Sequence, residues 1–183
     1  MIVLIEGIGR CGKSTLALKL RACLDNFSYI HFSVPPTEDV AGFFRENIEA
    51  CLDRGDTNLI IDRLHFSNYA YGTFFGPHIL NDFEFAMLDQ WLANMPHLCI
   101  MLCDHPASIL ERMRLTALED PTKRVILDFE TIGMIQNRFL QALDRSRLNP
   151  KGSYTLDQFI DAKTGLTTRQ YQELLAYIRE NSK

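Results

Sequence analysis

Ile2-Val3-Leu4-Ile5-Glu6-Gly7-Ile8-Gly9-Arg10-Cys11-Gly12-Lys13-Ser14-Thr15 is the stretch that decides the fold of this chain. Its four leading apolar residues predict a short strand buried on both faces. From Lys13 onward a helical pattern begins. Between the two, Gly7 to Ser14 fits G-x-x-x-x-G-K-[ST], a phosphate-binding loop. Its glycines let backbone N–H groups of Gly7, Gly9, Arg10, Cys11, Gly12, Lys13, Ser14 and Thr15 turn toward a polyphosphate. Lys13 can neutralise the terminal phosphates and Ser14 can ligate Mg²⁺, with the partial positive charge of a helix N-terminus behind them. Gly7, Gly9 and Gly12 also satisfy G-x-G-x-x-G, the dinucleotide fingerprint. That reading needs an acid at the end of the second strand, roughly 20 residues on. No acid appears there before Glu38, and the fingerprint has no role for Lys13 or Ser14. The phosphate loop is therefore the preferred reading.

Outward from this loop, apolar strand-like runs alternate with helical patterns to the end of the chain, which predicts an α/β fold with a mainly parallel sheet. A helix over 14–24 carries Leu16, Leu20 and Leu24 on one stripe, and a second strand over 28–34 is closed by Pro35-Pro36. Thr37-Glu38-Asp39 caps a helix reaching about Leu52. Strands over 58–62 and 97–103 follow, separated by a core helix over 82–92. Pro106 opens a helix to about Leu115. Residues 117–124, ALEDPTKR, read as a loop within a lid of about 115–126. The longest helical pattern covers 126–143, an edge strand is expected over 153–156, and Thr167-Thr168 caps the last helix.

At 183 residues, with 46% hydrophobic and 23% charged residues, the chain reads as one domain, 1–183, with a core of ordinary size. A net charge of −4 argues against large non-specific affinity for nucleic acid. The five cysteines, at 11, 23, 51, 99 and 103, never form C-x-x-C and suit the reduced thiols of a cytoplasmic protein. Cys11, within the loop, reads as a small loop-filling residue. The apolar start is too short for a signal peptide, and no run approaches a membrane span.

Asp62 ends the apolar run Leu59-Ile60-Ile61, and beside a phosphate loop a carboxylate at that point can hold Mg²⁺ directly or through water. Arg63 follows at once, with a fork suited to a second phosphate. The stretch Asp62-Arg63-Leu64-His65-Phe66-Ser67-Asn68-Tyr69-Ala70-Tyr71 closely resembles the thymidylate kinase signature, an Asp-Arg run with Ser five residues after the Asp and Ala-Tyr at its close. The opening IEGIGRCGKST and the later PHLCIMLCDHPASILERM are similar to those enzymes too, so order and spacing agree over most of the chain. The resemblance implies a three-layer P-loop kinase fold, a five-stranded parallel sheet flanked by helices, with a short lid. It implies ATP as donor with Mg²⁺, a nucleotide acceptor and a homodimer. It also implies that Asp62 organises metal and phosphate, that Arg63 grips the acceptor phosphate, and that Phe66 and Ser67 lie near the acceptor. Arg112 would stand near the phosphoryl groups, with Arg114, Lys123 and Arg124 as further cations in or beside the lid; Arg138, Arg145 and Arg147 read as a solvated helix face.

The chain departs from the family at Leu64, where Tyr or His is usual, and at Cys103, where the fourth strand commonly ends in Asp. It also lacks the Arg-Glu-Pro-Gly-Gly-Thr stretch after the second strand and has Ser33-Val34-Pro35-Pro36-Thr37 instead. A phosphate acceptor needs no base, whereas an alcohol must lose a proton. No carboxylate lies within Ser33 to Thr37, which favours a nucleoside monophosphate, thymidylate-like and pyrimidine by resemblance. Two other readings stay open. One is a kinase acting on a hydroxyl of a deoxynucleoside or of a hydroxymethylpyrimidine in DNA. The other is a nucleotide-binding switch without a small acceptor.

Overall fold

The computed structural model describes residues 1–33, 38–75, 80–120, 127–161 and 163–182. Five strands form one parallel sheet: β1 (Ile2–Gly7), β2 (Ser28–His31), β3 (Leu59–Asp62), β4 (His97–Leu102) and β5 (Lys151–Tyr154), in the order β2-β3-β1-β4-β5. Every residue of β1 is buried, as its continuous apolar run requires of a central parallel strand. The expected α/β sheet with flanking helices is thus the observed architecture.

The helices are α1 (Lys13–Cys23), α2 (Val40–Asp53), α3 (His65–Phe75), α4 (Asp82–Ala93), α5 (Pro106–Glu119), α6 (Phe129–Arg145) and α7 (Arg169–Asn181). Side chains at the helix starts satisfy amide donors that no turn can reach. Asp39 accepts from Gly42 N, Asn81 and Glu84 form a capping box, Asp128 accepts from Thr131 N, and Thr168 accepts from Tyr171 N. In α6 the buried residues Ile132, Ile135, Phe139, Ala142 and Leu143 form one stripe.

Several boundaries differ from expectation, including that of α6, which starts at Phe129 after the Asp128 cap and runs to Arg145 where 126–143 was expected. β2 stops at His31; Phe32 then packs edge-on against Phe43 and Phe44 at 5.9 and 5.0 Å. Residues 117–119, expected in a loop, continue α5, whose end is marked by Asp120 N donating to Thr116 O. β5 begins at Lys151, before the expected position. Helix α3 had no counterpart in the periodicity, because His65, Phe66, Ser67, Asn68 and Ala70 are all buried and leave no polar face to alternate with an apolar one. The expected lid falls partly in α5, and its remainder at 121–126 lies outside the described residues. No helix among the described residues is long and apolar enough to cross a membrane.

β1 is flanked by β3 on one side and β4 on the other, so the order in which successive strands are laid across the parallel sheet reverses at β1. Ile5 stands opposite Asp62 and Gly7 opposite Leu102. In open parallel sheets such a switch point forms the crevice where ligands bind.

Candidate active site

The loop after β1 has the backbone its glycines permit. Gly7 has φ 136°, and a Cβ there would meet Leu102 O at 2.1 Å. Gly12, at φ 93°, would meet the Leu156 side chain at 2.5 Å. Arg10 also takes a left-handed conformation, φ 67°, and its side chain is exposed. Cys11 is wholly buried, its Sγ 3.1 Å from the place of a Gly7 Cβ, which matches the loop-filling expectation. Lys13 folds back across the loop and donates to Ile8 O at 2.8 Å. Burial draws its ammonium below the ordinary lysine range, while Asp62 and Glu6 pull the other way. Ser14 and Thr15 are exposed at the start of α1.

Asp62, fully buried at the end of β3, collects donors on one oxygen. Ser14 Oγ donates to its Oδ2 at 2.5 Å, Tyr29 Oη donates at 3.1 Å, and His31 Nδ1 lies 3.0 Å away. Its other oxygen, Oδ1, is buried with no hydrogen-bond partner among the described residues. Burial, then the neighbouring Asp62 charge, pushes the Tyr29 hydroxyl up to about 12, so it remains a donor. Tyr29 and His31 were not singled out by sequence. They alternate at i and i+2 along β2, which puts both on one face of the sheet, and that alternation was the available signal.

Arg63 turns the chain out of β3 with φ 71°, its N–H donating to Ile5 O at 3.1 Å. Its Nε is buried without a partner among the described residues. The turn is clamped by Glu6, whose Oε1 accepts from Leu64 N at 2.6 Å and Ser67 N at 3.3 Å, and whose Oε2 accepts from Ser67 Oγ at 2.5 Å. Ser67 is therefore engaged with Glu6. Phe66 is wholly buried, packed edge-on against Phe85 at 5.4 Å, and lies in the core beneath α3. From the same helix Tyr71 reaches the loop, where Gly9 N–H donates to its hydroxyl at 2.5 Å. Burial raises that hydroxyl to about 12.

Arg112 closes the loop from the opposite side. Its Nη1 donates to Arg10 O at 2.6 Å, and its Nη2 pairs with Asp104 just after β4. Asp104 thus supplies a carboxylate one residue past Cys103. Arg114 is exposed on α5, two residues from Arg112, and Lys123 and Arg124 lie outside the described residues. Arg145 and Arg147 are exposed, as the solvated-face reading expects, and Arg138 is half-buried; Arg138 and Arg145 also lie over the Tyr69 ring, 5.4 and 5.1 Å from its centre. The structure therefore brings Lys13, Ser14, Asp62, Arg63 and Arg112 to one end of the sheet.

No known protein-family model matches this chain, and no curated protein matches it. Solved structures do. The YorR protein of Bacillus subtilis, in complex with phosphorylated GDP, superposes with a TM-score of 0.74 at 20% identity, covering 98% of both chains. Deoxyadenosine kinase from M. mycoides with bound dCTP gives 0.55 at 15% identity over 98% of this chain and 100% of that one. Thymidylate kinase from Candida albicans gives 0.52 at 20% identity over 100% and 93%. At these identities the likeness is one of fold, and the fold of this chain is that of P-loop nucleoside and nucleotide kinases.

Proposed function

We propose that this protein transfers the terminal phosphoryl group of ATP to a nucleoside monophosphate, with a thymidylate-like pyrimidine nucleotide as first candidate. The observation that carries the reading is the short Ser14–Asp62 hydrogen bond across the ends of α1 and β3, with Arg63 adjacent. Ser14 donates its O–H in a hydrogen bond to Asp62, which leaves the hydroxyl lone pairs free for a cation. Asp62 keeps a buried, unpartnered oxygen on the same carboxylate. An orphaned buried acceptor beside a phosphate loop suits Mg²⁺, which takes few protein ligands and keeps several waters. Ser14 and Asp62 would hold the ion; bound there with ATP, it supplies neutralisation of the phosphate charge.

In the transfer, an acceptor phosphate oxygen forms a bond to the γ-phosphorus while the bond to the β–γ bridging oxygen breaks, releasing ADP. Positioning and charge neutralisation carry most of the catalysis. Lys13 and the loop amides hold the donor phosphates, and Arg63 holds the acceptor phosphate. Arg112 fixes the loop at Arg10 and adds charge, and Arg114, Lys123 and Arg124 are its lid-side counterparts. Phe66 and Ser67 support the acceptor side by anchoring α3.

One observation favours a second reading. The free Asp62 Oδ1 can also accept a proton from an acceptor hydroxyl, as a nucleoside or DNA hydroxyl kinase requires. Labelled ATP with separate pools of nucleoside monophosphates, nucleosides and oligonucleotides distinguishes the two, since label is expected in nucleoside diphosphate. Lys13→Ala is expected to lower the transfer rate about 100-fold or more, and a wild-type rate in that variant would overturn the assignment. A protein that hydrolyses ATP slowly, whatever acceptor is added, would be a nucleotide-binding switch.

A further inference from the structure

Two hydroxyl donors and a ring nitrogen converge on one oxygen of Asp62, and Tyr29 and His31 among them come from β2, a strand with no part in the phosphate-loop pattern. A carboxylate has two equivalent oxygens and an easily turned terminal torsion. Here the oxygens are made inequivalent. Ser14, Tyr29 and His31 occupy Oδ2, and Oδ1 faces no donor among the described residues. With the Ser14 lone pairs facing a cation and its O–H on Oδ2, the Tyr29 hydroxyl and the nearby His31 ring hold the carboxylate from the β2 side. The strand register places His31 directly opposite Asp62, so the support is built into the sheet. Tyr29 stands opposite Ile60, two residues back along the same strand pair.

We propose that Tyr29 and His31 are positioning residues that hold Asp62 in a single orientation, reserving its Oδ1 for Mg²⁺ or a water of its shell. This rests on the reading of Ser14 and Asp62 as the Mg²⁺ site and adds the shell that orients it. Such outer partners orient a ligand before the metal arrives, and their loss typically lowers metal affinity about 10- to 100-fold. β2 then acts on the donor side of the reaction through the metal, although the chain leaves β2 toward the segment that sequence assigns to the acceptor.

The test reads the coupling between Mg²⁺ and ATP by calorimetry: the ATP affinity of the purified protein with and without Mg²⁺. Tyr29→Phe removes one hydroxyl and keeps the ring. His31→Leu removes the ring nitrogen 3.0 Å from Asp62, whereas His31→Asn keeps a nitrogen at the same distance from the backbone. Tyr29→Phe and His31→Leu are expected to raise the half-saturating Mg²⁺ concentration about 10-fold each, with ATP binding in EDTA unchanged. His31→Asn is expected to recover most of that loss. Melting temperatures report whether each variant folds, and Tyr29→Phe, which removes a single atom, serves if His31→Leu does not. Unchanged Mg²⁺ dependence in the folded variants, or a rise confined to the acceptor KM, overturns the proposal, as does a wild-type ATP affinity indifferent to Mg²⁺. The kinase reading is judged separately, by label transfer in the acceptor pools. Loss of coupling in the variants with no transfer in wild type would leave this inference standing and remove that reading.

Discussion

Glu6 and Asp62 are both acids with no exposed surface, on adjacent strands β1 and β3 and near their C-terminal ends. Their surroundings differ in one respect. Both oxygens of Glu6 are used, Oε1 by Leu64 N and Ser67 N and Oε2 by Ser67 Oγ. Asp62 has two hydrogen-bond donors and the His31 ring nitrogen, 3.0 Å away, on one oxygen and no hydrogen-bond partner among the described residues on the other. Buried polar groups are normally satisfied, and one that is not calls for an explanation. Burial therefore does not separate a structural acid from a chemical one, whereas the distribution of donors over the two oxygens does. Glu6 is closed in upon the Arg63 turn, and Asp62 has capacity left for a ligand.

The largest expected effect breaks this comparison at Asp62. Asp62→Asn keeps the shape and can still accept on one oxygen, but it removes the negative charge and presents an amide. Turnover is expected to fall about 100- to 1,000-fold, with a melting temperature near that of wild type. Wild-type turnover in the Asp62→Asn variant would show that the spare oxygen does no chemistry.

The next effect comes from Glu6 and has the opposite character. Glu6→Ala strands the amides of Leu64 and Ser67 in the interior, a loss of about 3 kcal/mol of stability. Glu6→Gln retains one acceptor oxygen for those amides, and the Ser67 hydroxyl can reverse to accept from the new NH₂. Its cost is expected near ~1 kcal/mol. Denaturant unfolding measures both, and the folded Glu6→Gln protein is expected to keep most of its transfer activity. A loss in Glu6→Gln as deep as in Asp62→Asn would make Glu6 a chemical acid and erase the distinction.

The two acids were not equally legible in the sequence. Asp62 ends an apolar run and follows a phosphate loop, so local pattern finds it. Glu6 lies inside the loop-bearing stretch, but its partners are Leu64 and Ser67, on a turn and helix that the periodicity did not reveal. The same limit applies around the site. The loop glycines, Lys13 and Ser14 are encoded by short spacing, and the strands by runs of apolar residues buried on both faces. The contacts of Tyr29 and His31 with Asp62, of Tyr71 with Gly9 and of Arg112 with Arg10 join residues remote in the chain. They exist only after β2, α3 and α5 have docked at one end of the sheet. Arg138 and Arg145 show the same limit. Arg145 is exposed, as the polar spacing of a solvated helix face predicts, but only the arrival of Tyr69 from α3 gives their guanidinium groups an aromatic surface.

The smallest expected effect sharpens the comparison through pH. Burial raises the Glu6 carboxyl above its ordinary value of 4.5, although the bonds from Ser67 and the nearby His65 oppose the shift. In the unfolded chain the group loses its proton near that ordinary value. Over the interval between the unfolded and folded values the native state therefore binds more protons than the unfolded one, and stability falls as pH rises. The Glu6 contribution is fully present below the unfolded value and is lost as pH climbs through the folded one. Glu6→Gln cannot titrate and lacks this slope. The stability of the variant relative to wild type is thus expected to improve with increasing pH across that window and to level off above it, by less than the cost of Glu6→Ala. Melting temperatures of the two proteins, taken at steps of pH from acid to neutral, measure the difference. A gap that stays constant, or moves in the other direction, would mean that Glu6 is held as a carboxylate by its three donors.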